Sequence, residues 1–168
     1  MAERRIVLVG FMGAGKSTVG PLLAEALGRR FVDSDRRIEE DVGLSVPEIF
    51  SHHGEAAFRA HERRVALELA GVGPIVLAAG GGAFADPETR QALQGDALTV
   101  WLRAPLEVLM ARLPQDGSRP LAGSRERMAQ LLAARESSYR LADLTVDASP
   151  SAAEVVRVIV EAVTNRDR

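Results

Sequence analysis

The sequence contains no cysteine. A disulfide scaffold, a thiolate zinc site and a cysteine nucleophile are therefore excluded, which suits a reducing cytoplasm. No stretch approaches the ~18 uncharged apolar residues that a membrane-spanning helix needs. An excess of charge of one sign is missing too. The net charge of −2 gives no overall basic field to draw nucleic acid or an anionic membrane, so any anion must be caught locally. The three histidines, His52, His53 and His61, are spaced in a way that fits no zinc motif. No aspartate is followed three positions later by glycine, and the single asparagine, Asn165, lies in the polar tail. The D-x-x-G and N-K-x-D signatures of a regulatory GTPase are thus both absent. MAERR followed by IVLVGFMGAG has the charge and apolar order of a short signal peptide, but Lys16 and an intact phosphate motif argue against that reading. These features predict a soluble, cytoplasmic protein with neither nucleic-acid nor membrane partners.

What is present fits one compact domain over residues 1–168, given a 46% hydrophobic content. Short β-branched runs at Arg5–Val9, Phe31–Asp33, Ile75–Ala79, Leu98–Leu102 and Leu144–Val146 alternate with longer helical patterns. That alternation predicts a parallel sheet covered by helices. Ser45-Val-Pro-Glu48 is a capping box, and Asp86-Pro87 and Ser149-Pro150 each place a cap before a proline at a helix start. Val155, Val156, Ile159, Val160 and Val163 recur at helical spacing, predicting a final helix packed on the sheet. Residues 114–123, PQDGSRPLAG, form the one run of turn-formers long enough for a mobile loop.

The chemistry begins at GFMGAGKS, residues 10–17, between the first strand and a helical run. Gly10-x-x-x-x-Gly15-Lys16-Ser17 is a P-loop in the context that a P-loop requires. Its N–H groups and the helix N-terminus cradle phosphate; Lys16 would reach the β- and γ-phosphates, and the Ser17 hydroxyl would ligate Mg²⁺. A rival, Gly80-Gly-Gly82-Ala-Phe-Ala85, formally fits G-x-G-x-x-A, but Leu102 and Arg103 stand where a dinucleotide site wants an acid. The three glycines read better as a close backbone approach to a ligand. Asp33 and Asp35 flank Ser34 at the C-terminal end of the second strand. Two apart in extended chain, both carboxylates would face the crevice. One can hold Mg²⁺ through water while the other receives an acceptor hydroxyl or takes its proton; the pair can also cap the next helix. Arg59 and Glu62, three apart on a helix, share a face, and Arg112 and Arg119 bracket the turn-rich loop. Small-molecule phosphoryl transfer accounts for the set.

The chain resembles the shikimate kinase family over almost its whole length. The resemblance rests on GFMGAGKSTVG, Asp33-Ser-Asp35-x-x-Ile38-Glu39, Gly43-x-Ser-Val-x-Glu48-Ile49-Phe50, Gly54-Glu55-x-x-Phe58-Arg59-x-x-Glu62, Gly80-Gly-Gly82, Arg119-Pro-Leu121 and Arg135-x-x-x-Tyr139, in that order. It implies an α/β three-layer P-loop fold with a five-stranded parallel sheet of order 2-3-1-4-5. An acceptor-binding segment at about 34–62 and a mobile lid at about 112–124 complete it. It also implies transfer of the ATP γ-phosphoryl to the 3-hydroxyl of shikimate, on the route to chorismate and the aromatic amino acids, by a monomer. On this resemblance Gly13, Ala14, Gly15, Lys16, Ser17 and Thr18 hold the nucleotide phosphates, and Arg112 stacks near adenine. Arg119 is the lid arginine facing the transferring phosphate. Ser17 and Asp33 serve Mg²⁺, the latter through water. Asp35 binds the shikimate hydroxyls, Arg59 and Arg135 its carboxylate, Gly81 and Gly82 contact it, and Glu62 orients Arg59. Lys16, Asp35 and Arg119 form the catalytic set. A gluconate or nucleoside monophosphate kinase would share the P-loop and lid without explaining the other motifs. A silent nucleotide-binding module would have less need of Asp35 and Arg119.

Overall fold

The computed structural model describes residues 4–113 and 125–168. Arg119 and the turn-rich run 114–123 lie outside them.

Five strands, β1 (Arg5–Val9), β2 (Arg30–Asp33), β3 (Ile75–Ala78), β4 (Ala97–Arg103) and β5 (Leu144–Asp147), form one sheet of order β2-β3-β1-β4-β5. Every pairing is parallel, with Val7 opposite both Leu77 and Thr99. Each sequence-predicted strand is present, β1 with the predicted bounds and the others with ends differing by one residue. β3 and, after Arg5, β1 read as continuous apolar runs because helices cover both faces of the sheet.

The chain leaves β1 through α1 (Lys16–Leu27) toward β2, and returns through α2 (Ser34–Val42), α3 (Val46–His53) and α4 (Glu55–Ala70) to β3. A 3₁₀ turn (Ala83–Ala85) and α5 (Pro87–Gln94) lead to β4, then α6 (Leu106–Arg112) and α7 (Arg125–Tyr139) precede β5, and α8 (Ala152–Arg166) ends the fold. Because parallel crossovers are right-handed, the connection moving one way along the sheet lies on the opposite face from those moving the other way. Hence α1 packs with α8 on one face, and α4 with α5 on the other. The reversal occurs at β1, so the crevice at its carboxyl end is where such a sheet takes ligands.

Helix starts follow their capping chemistry. Ser45 and Glu48 complete both halves of the predicted capping box, and Asp86 accepts from the Thr89 N–H ahead of α5. The last helix begins later than Ser149-Pro150 suggested: its cap is Ser151, which accepts from the Glu154 N–H. The reason is local. The Ala148 and Ser149 carbonyls accept from Arg112, and the Ser149 N–H is turned onto Asp147, so these residues form a turn at the crevice instead.

At the other end of β1, the buried Arg5 donates to the carbonyls of Leu69, Ala92, Leu93 and Gly95. One guanidinium thereby satisfies the orphan carbonyls at the ends of α4 and α5. No helix among the described residues is long and apolar enough to cross a membrane.

Candidate active site

The β1–α1 turn carries Gly10, Gly13 and Gly15 at φ values of 150°, 83° and 97°. Gly13 also sits against α6, where a Cβ would lie 2.5 Å from the Leu109 carbonyl oxygen. Only glycine meets both demands, and the chain then enters α1 with its N–H groups directed at the crevice. Lys16 closes over the loop, its Nζ donating to the carbonyls of Gly10 and Phe11. The Ser17 hydroxyl donates to Asp33 Oδ2 at 3.0 Å.

Asp33 does two jobs with its two oxygens. While Oδ2 receives Ser17, Oδ1 accepts the N–H groups of Asp35 and Arg36 at 3.0 and 3.3 Å and caps α2. That cap ends the strand at Asp33, so Asp35 stands in the first turn of a helix. The extended-chain argument for placing both carboxylates in the crevice therefore fails, although both do line the cavity. Oxygen donors of this kind, a hydroxyl and a carboxylate side by side, fit a hard divalent cation such as Mg²⁺.

A second cluster lies across the cavity. On α4, Arg59 donates to Glu62 at 2.7 Å and to Glu55 at 3.3 Å, with its guanidinium over the Phe58 ring, 5.4 Å from the centroid. The Glu62 side chain is only 4% exposed. Burial pushes its carboxyl up, Arg59 opposes that rise, and Asp35 adds to it. Burial alone would lower Arg59, but Glu62 and Glu55 outweigh it and raise the guanidinium. Glu62 therefore protonates more readily than an exposed carboxylate, while Arg59 holds its proton more tightly.

The three-glycine turn after β3 makes this crowding possible. At Gly80 a Cβ would lie 2.7 Å from both Asp35 Oδ1 and Glu62 Oε2, and at Gly82 it would run into the Arg59 guanidinium. The Gly80 N–H is pinned by Ser34 Oγ at 3.0 Å. From α7, the buried Arg135 places its guanidinium over the Phe11 ring at 5.7 Å. Arg112 joins the P-loop to the turn after β5, donating to Ala14, Ala148 and Ser149.

One cavity of about 540 Å³ takes in the P-loop, both aspartates, Arg59, Glu62, Gly81, Gly82, Arg112 and Arg135. Of the residues expected from sequence, Arg119 alone lies outside the described structure. Sequence reading quotes Ser34 and Glu55 within motifs but gives neither a role. Ser34 looked like a spacer between two acids, while Glu55 stands four residues before Arg59, a spacing that signals a helical ion pair.

A phosphate loop opening onto a pocket of arginines and carboxylates defines an ATP-dependent phosphotransferase acting on a small molecule. The shikimate kinase family model matches residues 12–164. Shikimate kinase of Nitrobacter winogradskyi is 48% identical over 149 residues, 87% of this chain and 70% of the relative. That of Paramagnetospirillum magneticum is 45% identical over 98% of this chain and 87% of its own. The solved shikimate kinase from Acinetobacter baumannii, in complex with shikimate, superposes with a TM-score of 0.94 at 38% identity, covering 98% of this chain and 94% of that one. The chain belongs to the shikimate kinase family.

Proposed function

We propose that this chain transfers the γ-phosphoryl group of ATP to the 3-hydroxyl of shikimate, giving shikimate 3-phosphate and ADP. The observation that carries the reading is the single cavity in which the phosphate loop faces Asp35, Arg59 and Arg135. A polyol acid asks for that set: guanidinium forks for its carboxylate and a carboxylate for its hydroxyls. A nucleoside monophosphate offers no carboxylate to the guanidinium forks, and gluconate, a polyol acid too, is disfavoured by the match of residues 12–164 to the shikimate kinase family.

In this reading Gly13, Ala14, Gly15, Lys16, Ser17 and Thr18 hold the triphosphate, and Arg112 stands at the adenine end. Ser17 and, through water, Asp33 would hold Mg²⁺, which when bound screens the phosphate charge. Arg59 and Arg135 take the shikimate carboxylate, with Gly81 and Gly82 against the ring. Asp35 accepts the hydrogen bond of the acceptor hydroxyl. As the hydroxyl oxygen bonds to phosphorus, the bond to the bridging β–γ oxygen breaks, the proton passes to Asp35, and ADP leaves with the electron pair. Lys16, with Arg119 in the family's lid position, stabilises the charge on the transferring group. The reading includes a cytoplasmic, monomeric enzyme of one domain.

The test is ADP release from Mg·ATP with shikimate, gluconate or AMP as acceptor. Turnover with shikimate alone is expected. Turnover with another acceptor would overturn the roles of Asp35, Arg59 and Arg135, and turnover with none would favour a binding module.

A further inference from the structure

Tyr139, the single tyrosine of the chain, ends α7 and is fully buried. Its ring packs on Trp101 of β4, with centroids 5.7 Å apart. A residue with those neighbours reads as core. Its hydroxyl does something a core residue has no need to do: it donates to the carbonyl oxygen of Gly81. Gly81 lies in the turn that lines the acceptor pocket, 58 residues away in sequence.

The same phenol lies beside Arg135, one helical turn earlier. Burial pushes the Tyr139 hydroxyl up to about 12, and the charge of Arg135 opposes that rise. The hydroxyl consequently keeps its proton at neutral pH and remains a donor. Arg135 is in turn confined on its other sides. Its guanidinium faces the Phe11 ring at 5.7 Å, and its Nη1 lies 3.3 Å from the point where a Gly81 Cβ would stand. Arg135 also lines the cavity.

We infer that Tyr139 is a positioning residue for the acceptor: by tying the Gly81 carbonyl to the end of α7, its hydroxyl fixes the spacing between the glycine turn and Arg135. This inference rests on the acceptor site proposed above. Two acceptor contacts, one on the β3 turn and one on α7, come from elements that share no backbone hydrogen bonds. A bond from Tyr139 to Gly81 joins them directly. The hydroxyl bonds to Gly81, and Gly81 and Arg135 in turn abut the phosphate loop at Gly10, Phe11 and Met12, so its loss should fall more heavily on the acceptor than on the nucleotide.

Tyr139→Phe removes the hydroxyl and keeps the ring packed on Trp101. Steady-state kinetics with each substrate varied, together with thermal melting, test the inference. The expected result is a KM for shikimate raised by about tenfold, the value of one lost hydrogen bond in a buried site. The KM for Mg·ATP should stay within about twofold, since the hydroxyl's bond goes to Gly81 rather than to the phosphate loop. Shikimate should also raise the melting temperature of the variant less than that of the wild type, while Mg·ATP raises both equally. An unchanged shikimate KM overturns the inference. So does a parallel rise in both KM values with a lower melting temperature, which would make Tyr139 a core residue only. Wild-type turnover with shikimate, measured alongside, separates failure of this inference from failure of the acceptor assignment.

Discussion

Gly82→Ala is a one-carbon perturbation whose effect can be worked from geometry. The residue has φ −96°, so alanine meets no backbone strain there. Its Cβ, however, would stand 2.8 Å from Arg59 Cζ and 2.9 Å from Nη2, closer than non-bonded atoms approach. The guanidinium must move, and it has little freedom to do so, being held by Glu62 at 2.7 Å and stacked on Phe58. Moving it lengthens a charge-assisted hydrogen bond worth about 1.5–3 kcal/mol, and it leaves Glu62 buried beside Asp35. If that loss falls on acceptor binding, it corresponds to about a 10- to 100-fold rise in the KM for shikimate. Gly81→Ala supplies the control, because its Cβ would lie 3.3 Å from Arg135 Nη1, a gap that a few tenths of an ångström relieves. Coupled ADP-release assays on both variants should show the larger defect at Gly82, with Mg·ATP parameters close to wild type. A shikimate KM unaltered in Gly82→Ala would refute the claim that Arg59 is fixed by contact with this turn.

Asp35→Asn should lower turnover by about 10²- to 10⁴-fold, the range for losing a general base, while equilibrium binding of ATP stays near wild type; normal turnover would remove the proton-acceptor role. Gly20→Ala should destabilise the fold by up to about 2 kcal/mol: a Cβ there would lie 2.9 Å from two atoms of the Phe31 ring, and overpacking of about 1–3 kcal/mol is offset by a helix-propensity gain of about 1 kcal/mol. A higher denaturation midpoint in that variant would contradict it. Asp86→Ala removes the cap of α5 and should cost about 1 kcal/mol at pH 7. Hydrogen bonds from the Thr89 hydroxyl and N–H hold the Asp86 carboxyl below its usual range, so its contribution is present above the unfolded value near 4 and lost as pH falls through the lower folded one. Urea melts of both proteins at pH 7, 4 and 3 should therefore converge at the acid end, and a gap that widens there would reverse the sign.

The fold was legible because its two signals are local. Val and Ile runs of strand length, with side-chain-capped helices after β2, β3 and β5, need no knowledge of distant residues, and the P-loop fixes which strand lies at the switch point. Two local expectations went astray where side chains from elsewhere claimed the backbone. Arg112 takes the carbonyls after β5 and moves the start of α8 from Ser149 to Ser151. The Asp33 cap turns the chain into α2 before Asp35, so that acid reaches the cavity from a helix rather than from an extended strand. In both cases the competing partner is itself part of the site.

In the proposed acceptor pocket, the residues legible from sequence were the charged ones and the glycines of the 80–82 turn. Arg59, Glu62, Asp35 and Arg135 could be picked out because burying such groups is costly without a partner or a purpose. The groups that fix them in place announce nothing of the kind. Phe11 looks like filler in the phosphate loop, Ser34 like a spacer, and Tyr139 like the apolar end of a helix, yet each touches a charged residue or the turn beside it. Their partners are 46 to 58 residues away for the two hydroxyls, a separation across which no periodic pattern reports contact. What sequence supplies at such positions is chemical capacity, a hydroxyl or a ring face; whether it is used depends on the sheet order, which brings the β3 turn, the β1 loop and the end of α7 to one crevice. The precision of this site thus depends on neutral residues, and substitutions there should alter acceptor binding while leaving every charged residue of the site intact.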